Sequence, residues 1–301
     1  MKKVSTAPLK LSNPDKLLFP DAGITKLDYV KKLHELAPFI LAYTKERNIT
    51  TIHYPDGLDG KSYYQKNIPD HAPDYISHRM IDGIDHIIVD TVESLLWLGN
   101  MAALEFHIPF NTMSSPDNPD ALVFDLDPAE GQPFSQTVEA ALIIRQNLDS
   151  IGIKSYCKTS GATGLQVSIP LGRKLGYDLA RELNRFFARY FTDKYPNVFT
   201  IERKVKDRGK LLYFDYLQMW KGKTIICPYS PRAVKTANIS APVLWEELET
   251  GIKPDDFTLL NILPRLKQKG DLYKPVISSG LDSGIENLIK SLKKSNSTGG
   301  N

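Results

Sequence analysis

Cysteine is nearly absent: Cys157 and Cys227 are the only two among 301 residues. That is too few for a disulfide framework in a chain of this size, and buried free thiols are expected instead. No CxxC or HxxxH spacing occurs, and His34, His53, His71, His78, His86 and His107 all precede the first cysteine, which disfavours a zinc site. No apolar run approaches the roughly 20 residues needed to cross a bilayer. The first residues are basic but lack the apolar stretch of a secretion signal, so a cytoplasmic location with no membrane partner is expected. Internal repeats and long low-complexity linkers are also missing. A net charge of +3 excludes little, because basic residues clustered on one face can serve an anionic partner in a nearly neutral chain.

What is present suits a folded protein. Hydrophobic residues make up 42% and charged residues 24%, enough for a substantial core. Three helices are legible. Thr25 to Asp28 resembles a capping box, followed by Leu27, Val30, Leu33 and Leu36 at helical spacing. Ser135 is expected to cap a second helix that turns Val138, Leu142 and Leu148 inward and stops before Gly152. A third runs from Tyr177 to Tyr195, with Leu179, Leu183, Phe186, Phe187 and Tyr190 on one side and Pro196 as its stop. Short apolar runs at 85–89, 121–127, 164–169 and 211–216 read as strands. The elements mix without a βαβ rhythm, so the expected class is α+β, with sheets carrying the chemistry. From Ser291 onward the composition reads as a flexible tail.

The strand Ala121 to Asp127 carries the clearest chemistry. Alternation puts Asp125 and Asp127 on one face and Phe124 and Leu126 on the other. Two carboxylates about 7 Å apart along a strand repel each other, and a hard cation such as Mg²⁺ or Mn²⁺ relieves that repulsion. Pro128 cannot donate to a ladder, so the strand should end there and expose the pair. Three chemistries use such an arrangement: aspartate-nucleophile phosphatases, sugar-nucleotide transferases and two-metal polymerases.

A third carboxylate, Asp215, lies in another apolar run and directly follows the basic stretch Arg203 to Lys210. A third acid beside two others suits two metals, and nearby cations suit a triphosphate. The alternative for Asp215 is a helix cap or a pair with Arg208. Between the acidic strands, Lys158-Thr159-Ser160-Gly161-Ala162-Thr163-Gly164 offers small residues whose backbone could approach phosphates, or a plain turn.

In this order and spacing, the chain resembles the polymerase domain of bacterial end-joining DNA ligases (ligase D), within the archaeo-eukaryotic primase-polymerases. The resemblance runs from about Leu11 to Glu247. It is carried by Ser12 to Pro20, Tyr54-Pro55-Asp56-Gly57, Tyr63-Tyr64-Gln65-Lys66, Ala103 to His107, the Asp125-Leu126-Asp127-Pro128 strand, Asp215-Tyr216-Leu217-Gln218 and Pro228 to Ala233.

The resemblance implies a primase-polymerase fold and assigns roles residue by residue. Asp125, Asp127 and Asp215 become catalytic ligands of two ions, Mn²⁺ or Mg²⁺. His107, Ser160, Gln166, Arg208, Gln218 and Arg232 become nucleotide contacts. Asn13, Lys16 and Lys26 become a pocket for the 5′-phosphate across a gap, and Tyr63 and Tyr64 stack on DNA. The implied partners are gapped or broken DNA ends, ribo- or deoxynucleoside triphosphates, a Ku-type end binder and a separate ligase, since no ligase or nuclease segment is recognisable. The implied location is nucleoid-associated.

Residues 1–290 would form one catalytic domain, with an end-binding part at 1–110, a core at 111–250, a C-terminal part at 251–290 and the tail at 291–301. Three positions depart from the family pattern: Thr163 replaces a lysine, Gln166 a histidine, and His53 stands where an arginine is common. These departures motivate a second reading, a DNA-end-binding module whose catalysis has decayed. The phosphatase reading remains a third.

Overall fold

The amphipathic and alternating segments fold into two larger sheets and two two-stranded ones, within residues 17–25 and 77–88, packed with helices in a computed structural model that describes residues 10–298. In chain order the strands are β1 (Leu17–Phe19), β2 (Ile24–Thr25), β3 (Thr50–His53), β4 (Tyr63–Gln65), β5 (Ser77–Ile81), β6 (Ile84–Ile88) and β7 (Ala103–Pro109). They continue with β8 (Ala121–Asp127), β9 (Tyr156–Thr159), β10 (Leu165–Pro170), β11 (Phe199–Thr200), β12 (Leu212–Phe214), β13 (Thr224–Ile226) and β14 (Pro242–Val243). The helices are α1 (Lys26–Thr44), α2 (Val92–Asn100), α3 (Phe134–Ser150), α4 (Tyr177–Lys194), α5 (Trp245–Glu249), α6 (Ile262–Lys269), α7 (Lys274–Ser278) and α8 (Ser283–Thr298).

The larger sheet has six strands in the order β11-β12-β8-β10-β9-β14, antiparallel except for the β11–β12 pair. The acidic strand β8 therefore lies inside the sheet, between β10 and β12. The smaller antiparallel sheet, β13-β7-β3-β4, takes strands from both sides of residue 110. This mixture of helices and largely antiparallel sheets is α+β.

Alternation on β8 works as the sequence implies. Phe124 and Leu126 are fully buried, and Phe124 packs against Phe187 of α4 and Phe214 of β12, with ring centroids 5.2 and 5.0 Å apart. That aromatic layer fixes one face of the sheet and leaves the other to Asp125 and Asp127. The strand ends at Asp127, just before Pro128.

Thr25 caps α1 in a capping box with Asp28. Ser135 does not cap α3: the helix starts at Phe134 after Pro133 and has no side-chain cap. Phe186 and Tyr190 are exposed, because the inward face of α4 is Ala180, Leu183, Asn184, Phe187 and Phe191. The expected tail is also revised. Helix α8 runs through Ser291 to Thr298, because Ile285, Leu288, Ile289 and Leu292 recur at helical spacing and pack on the core. Residues 299–301 lie outside the described residues. Cys157 and Cys227 are buried free thiols, as their scarcity suggests. No helix among the described residues is long and apolar enough to cross a membrane.

Candidate active site

Strand register assembles the acidic cluster. Asp125 pairs with Gln166 of β10, and Asp127 pairs with Tyr213 of β12. Asp215 lies one residue beyond β12, where its backbone N–H donates to the Asp125 carbonyl at 3.1 Å. The three aspartates, about 90 residues apart in sequence at the extremes, thus meet at one place on the sheet. Asp215 also caps the short turn Tyr216–Gln218, accepting from the Leu217 N–H at 3.1 Å and from the Tyr213 hydroxyl at 3.2 Å. It does not pair with Arg208.

The carboxylates oppose one another electrically. Burial raises the Asp125 pKa above the usual carboxylate range, and the Asp127 and Asp215 charges add to the effect. Asp127 is raised by burial and by Asp215, while Arg208 and Arg232 pull it the other way. Gln166 moderates Asp125 by donating from Nε2 to Oδ1 at 3.0 Å. Each of Asp125 and Asp215 has one oxygen outside these bonds, and Asp127 has both, so the donor set fits a hard divalent cation. No three acidic, His or Cys side chains among the described residues are already drawn into a coordination shell.

The loop between β9 and β10 presses against this cluster. The Ser160 Oγ accepts from the Ala162 and Gly164 backbone N–H groups at 3.2 and 3.1 Å, closing the loop on itself. A Cβ at Gly164 would meet the Leu126 carbonyl oxygen at 2.7 Å and come within 3.5 Å of Asp127 Oδ1, so only glycine allows this approach. Gly161, with φ of +77°, faces Arg232: an added Cβ would lie 3.1 Å from the Arg232 Cβ. Thr163 stands exposed at the loop tip.

Arg232 and His107 arrive from elsewhere and share one partner. Buried Glu105 accepts from His107 Nε2 at 2.8 Å and from Arg232 Nη1 at 3.0 Å. Arg208 stacks over the Tyr213 ring at 3.7 Å and donates to the Glu202 and Arg203 carbonyls. Gln218 is turned to a structural bond, donating to the Thr224 carbonyl at 2.8 Å.

The 5′-phosphate candidates form a separate group. Lys16 donates to the Pro55 carbonyl at 2.9 Å and to Asp56 at 3.2 Å. Lys26 is buried and donates to Ser12 Oγ and the Asn100 carbonyl; burial, then Lys16, lowers its pKa. Asn13 takes a left-handed conformation and accepts the Lys16 backbone N–H. Tyr63 and Tyr64 are both exposed on the edge strand β4, but alternation turns them to opposite faces. The Tyr63 ring stacks on His53 at 4.9 Å. His53 is itself buried, and burial lowers its pKa, with the bond to the Met101 carbonyl opposing the fall.

Two further residues contribute to the site, Glu105 and Lys158. Glu105 sits two residues before His107 on β7, and same-face spacing was the available signal. Lys158, 1% exposed, pairs across β10 with Gln166, in the same lateral row as Asp125, and donates to Ser240 Oγ at 2.7 Å. Burial brings its pKa down to about 7, with Asp125 opposing the fall. A lysine in an otherwise inward-facing strand was the corresponding signal.

A carboxylate triad at the end of an interior strand, flanked by arginines and a glycine loop, is an arrangement that a nucleotidyltransferase can use. The family model described as "LigD, primase-polymerase domain" matches residues 25–273, and the chain belongs to that family. It is 38% identical to the bifunctional non-homologous end joining protein LigD of Bacillus subtilis, over 95% of this chain and 47% of that protein. It is 29% identical to the multifunctional LigD of Mycolicibacterium smegmatis, over 89% of this chain and 36% of the relative. The chain thus spans half or less of the length of these relatives. Among solved structures it resembles the polymerase domain of Mycobacterium tuberculosis ligase D in complex with DNA, with a TM-score of 0.82 and 28% identity, covering 91% of this chain and 99% of that one.

Proposed function

We propose that residues 1–290 act as one catalytic unit that adds nucleotides, under template direction, to primer 3′ ends at gaps and broken DNA ends during end joining. The reading includes a preference for ribonucleotides and two divalent ions, manganese before magnesium. The observation that carries it is the meeting of Asp125, Asp127 and Asp215 on one face, with Arg208 and Arg232 both close enough to Asp127 to lower its pKa.

Each group has a task in this scheme. Arg208, Arg232, His107 and the Ser160 loop hold the triphosphate, where planar guanidinium donors suit phosphate oxygens. Asp125, Asp127 and Asp215 would hold the cations, which when bound would supply the positive charge that phosphoryl transfer needs. Gln166 keeps Asp125 oriented. Lys16 and Lys26 receive the terminal 5′-phosphate, whose second negative charge distinguishes it from internal phosphodiesters. Tyr64 offers an open ring to a base, and Tyr63 a ring already backed by His53. A Ku-type end binder and a ligase complete the repair in this scheme.

The test is primer extension on a short gap with a downstream 5′-phosphate. It compares ribo- with deoxynucleotides, manganese with magnesium, and the native chain with Asp125→Ala/Asp127→Ala. Extension that vanishes in the double variant is the expected result. The neutral Gln166 favours one competing reading, a DNA-end-binding module. Tight binding of the phosphorylated gap with no extension in either metal would establish that reading instead.

A further inference from the structure

Strand β7 buries almost every side chain it carries, yet Glu105 lies among them, 5% exposed. A carboxylate in such a position is costly unless its oxygens are filled. Here they are filled by the candidate nucleotide contacts themselves. Oε2 accepts from His107 Nε2 at 2.8 Å and from Arg232 Nη1 at 3.0 Å, and Oε1 accepts from the Ala233 backbone N–H at 3.1 Å. The loop bearing Arg232 has other anchors: the Arg232 N–H donates to the Asn238 carbonyl, and Ser230 Oγ accepts from the Phe106 N–H. The Glu105 bonds therefore fix the functional ends of two side chains as well as the loop backbone at Ala233.

Exposure gives the arrangement a direction. Glu105 is 7% exposed at its side chain, His107 16% and Arg232 26%, so the carboxylate lies behind and its two partners lie in front. A carboxylate with both oxygens accepting has no hydrogen to give, so His107 must donate from Nε2. That leaves Nδ1 as the ring nitrogen available to a ligand.

We propose that Glu105 is a positioning residue for the incoming nucleotide: it holds the His107 imidazole and the Arg232 guanidinium side by side and fixes His107 in the Nε2–H tautomer. The inference rests on the nucleotide-contact roles given to His107 and Arg232 under the proposed function. A misplacement of about 1 Å in such contacts can cost on the order of 100-fold.

Two measurements test it. In the native chain, ¹⁵N NMR of the His107 ring should show hydrogen on Nε2 throughout; a ring with its hydrogen on Nδ1, or an equal mixture, overturns the proposal without any variant. In Glu105→Gln, which keeps the shape, titration of a fluorescent nucleoside triphosphate should show affinity about tenfold weaker, and KM should rise more than kcat falls. The Kd for phosphorylated gap DNA should stay unchanged. Nucleotide affinity that is unaffected, or gap binding that falls in parallel with it, would make Glu105 a structural residue only. Absence of extension in the native chain would sink the proposed function, while the ring signals and nucleotide titration would still decide the role of Glu105.

Discussion

The Gln166 amide reaches across one strand to donate to Asp125 Oδ1 at 3.0 Å, while its own Oε1 is buried with no hydrogen-bond partner. The family pattern has a histidine at this position, so the chain has kept an orienting donor while giving up a group that could become cationic. Gln166→Ala should free the Asp125 carboxylate and lower extension about 10-fold to 100-fold, the usual cost of removing a partner that orients a ligand. Gln166→His should keep extension and lower KM for the nucleotide. Equal extension by all three proteins would remove Gln166 from the site.

Asp125 is held where its charge is unwelcome. Burial and the neighbouring Asp127 both disfavour the ionised form. Asp125→Asn should therefore abolish extension yet raise the melting temperature of the metal-free protein by a few degrees, on the order of 1 kcal/mol. Calorimetry in a chelating buffer measures it. A lower melting temperature would mean that the carboxylate is a net structural contributor, against the electrostatic account.

What the sequence disclosed, and what it hid, follows from the distance between partners. Strand β8 was legible because alternation is local: Phe124, Asp125, Leu126 and Asp127 declare their faces within four residues. The capping box of α1 was legible for the same reason. Glu105 was not, because its meaning depends on Arg232, 127 residues away. Lys158 lies beside a glycine loop in sequence, yet it belongs to a buried row with Gln166 and Asp125 that only register reveals. The polar composition after Ser291 masked the helical spacing of Leu288, Ile289 and Leu292. Apolarity alone groups Phe186 and Tyr190 with Leu183 and Phe187 on one side, although α4 buries a neighbouring stripe.

Lys16 and Lys26 should differ as targets although the family pattern treats them alike. Lys26 also ties Ser12 and the Asn100 carbonyl together, whereas Lys16 bonds at the surface to Pro55 and Asp56. Lys16→Ala should weaken binding of a 5′-phosphorylated gap about 10-fold and leave the unphosphorylated gap unchanged, with no effect on melting; a charge-assisted phosphate bond is worth about that much. Lys26→Ala should lower the melting temperature as well. Fluorescence anisotropy with matched gap duplexes separates the outcomes. An equal loss on both duplexes would describe a general backbone contact rather than recognition of a terminal phosphate.

Glu247 offers a test of the structure away from the chemistry. It lies in α5 and accepts from Arg265 Nη2 at 2.6 Å and Lys269 Nζ at 2.8 Å, both in α6, and from the Leu244 N–H at 2.8 Å. Burial pushes its pKa up, but these bonds outweigh burial and bring it down to about 2, from an ordinary 4.5. A depressed carboxylate stabilises the fold above its unfolded pKa, and the stabilisation fades as pH falls from about 4.5 toward 2. Glu247→Gln should thus destabilise the chain at pH 7 by on the order of 2 kcal/mol, after allowance for its partial contact with water. The difference should shrink through that acidic window and vanish near its lower end, while gap filling at neutral pH and room temperature stays as in the native chain. Chemical denaturation of both proteins at a series of pH values measures it. A stability difference that stayed constant down to the lowest pH would assign the effect to packing between α5 and α6, and the ion pairs would then have little part in holding the C-terminal helices together.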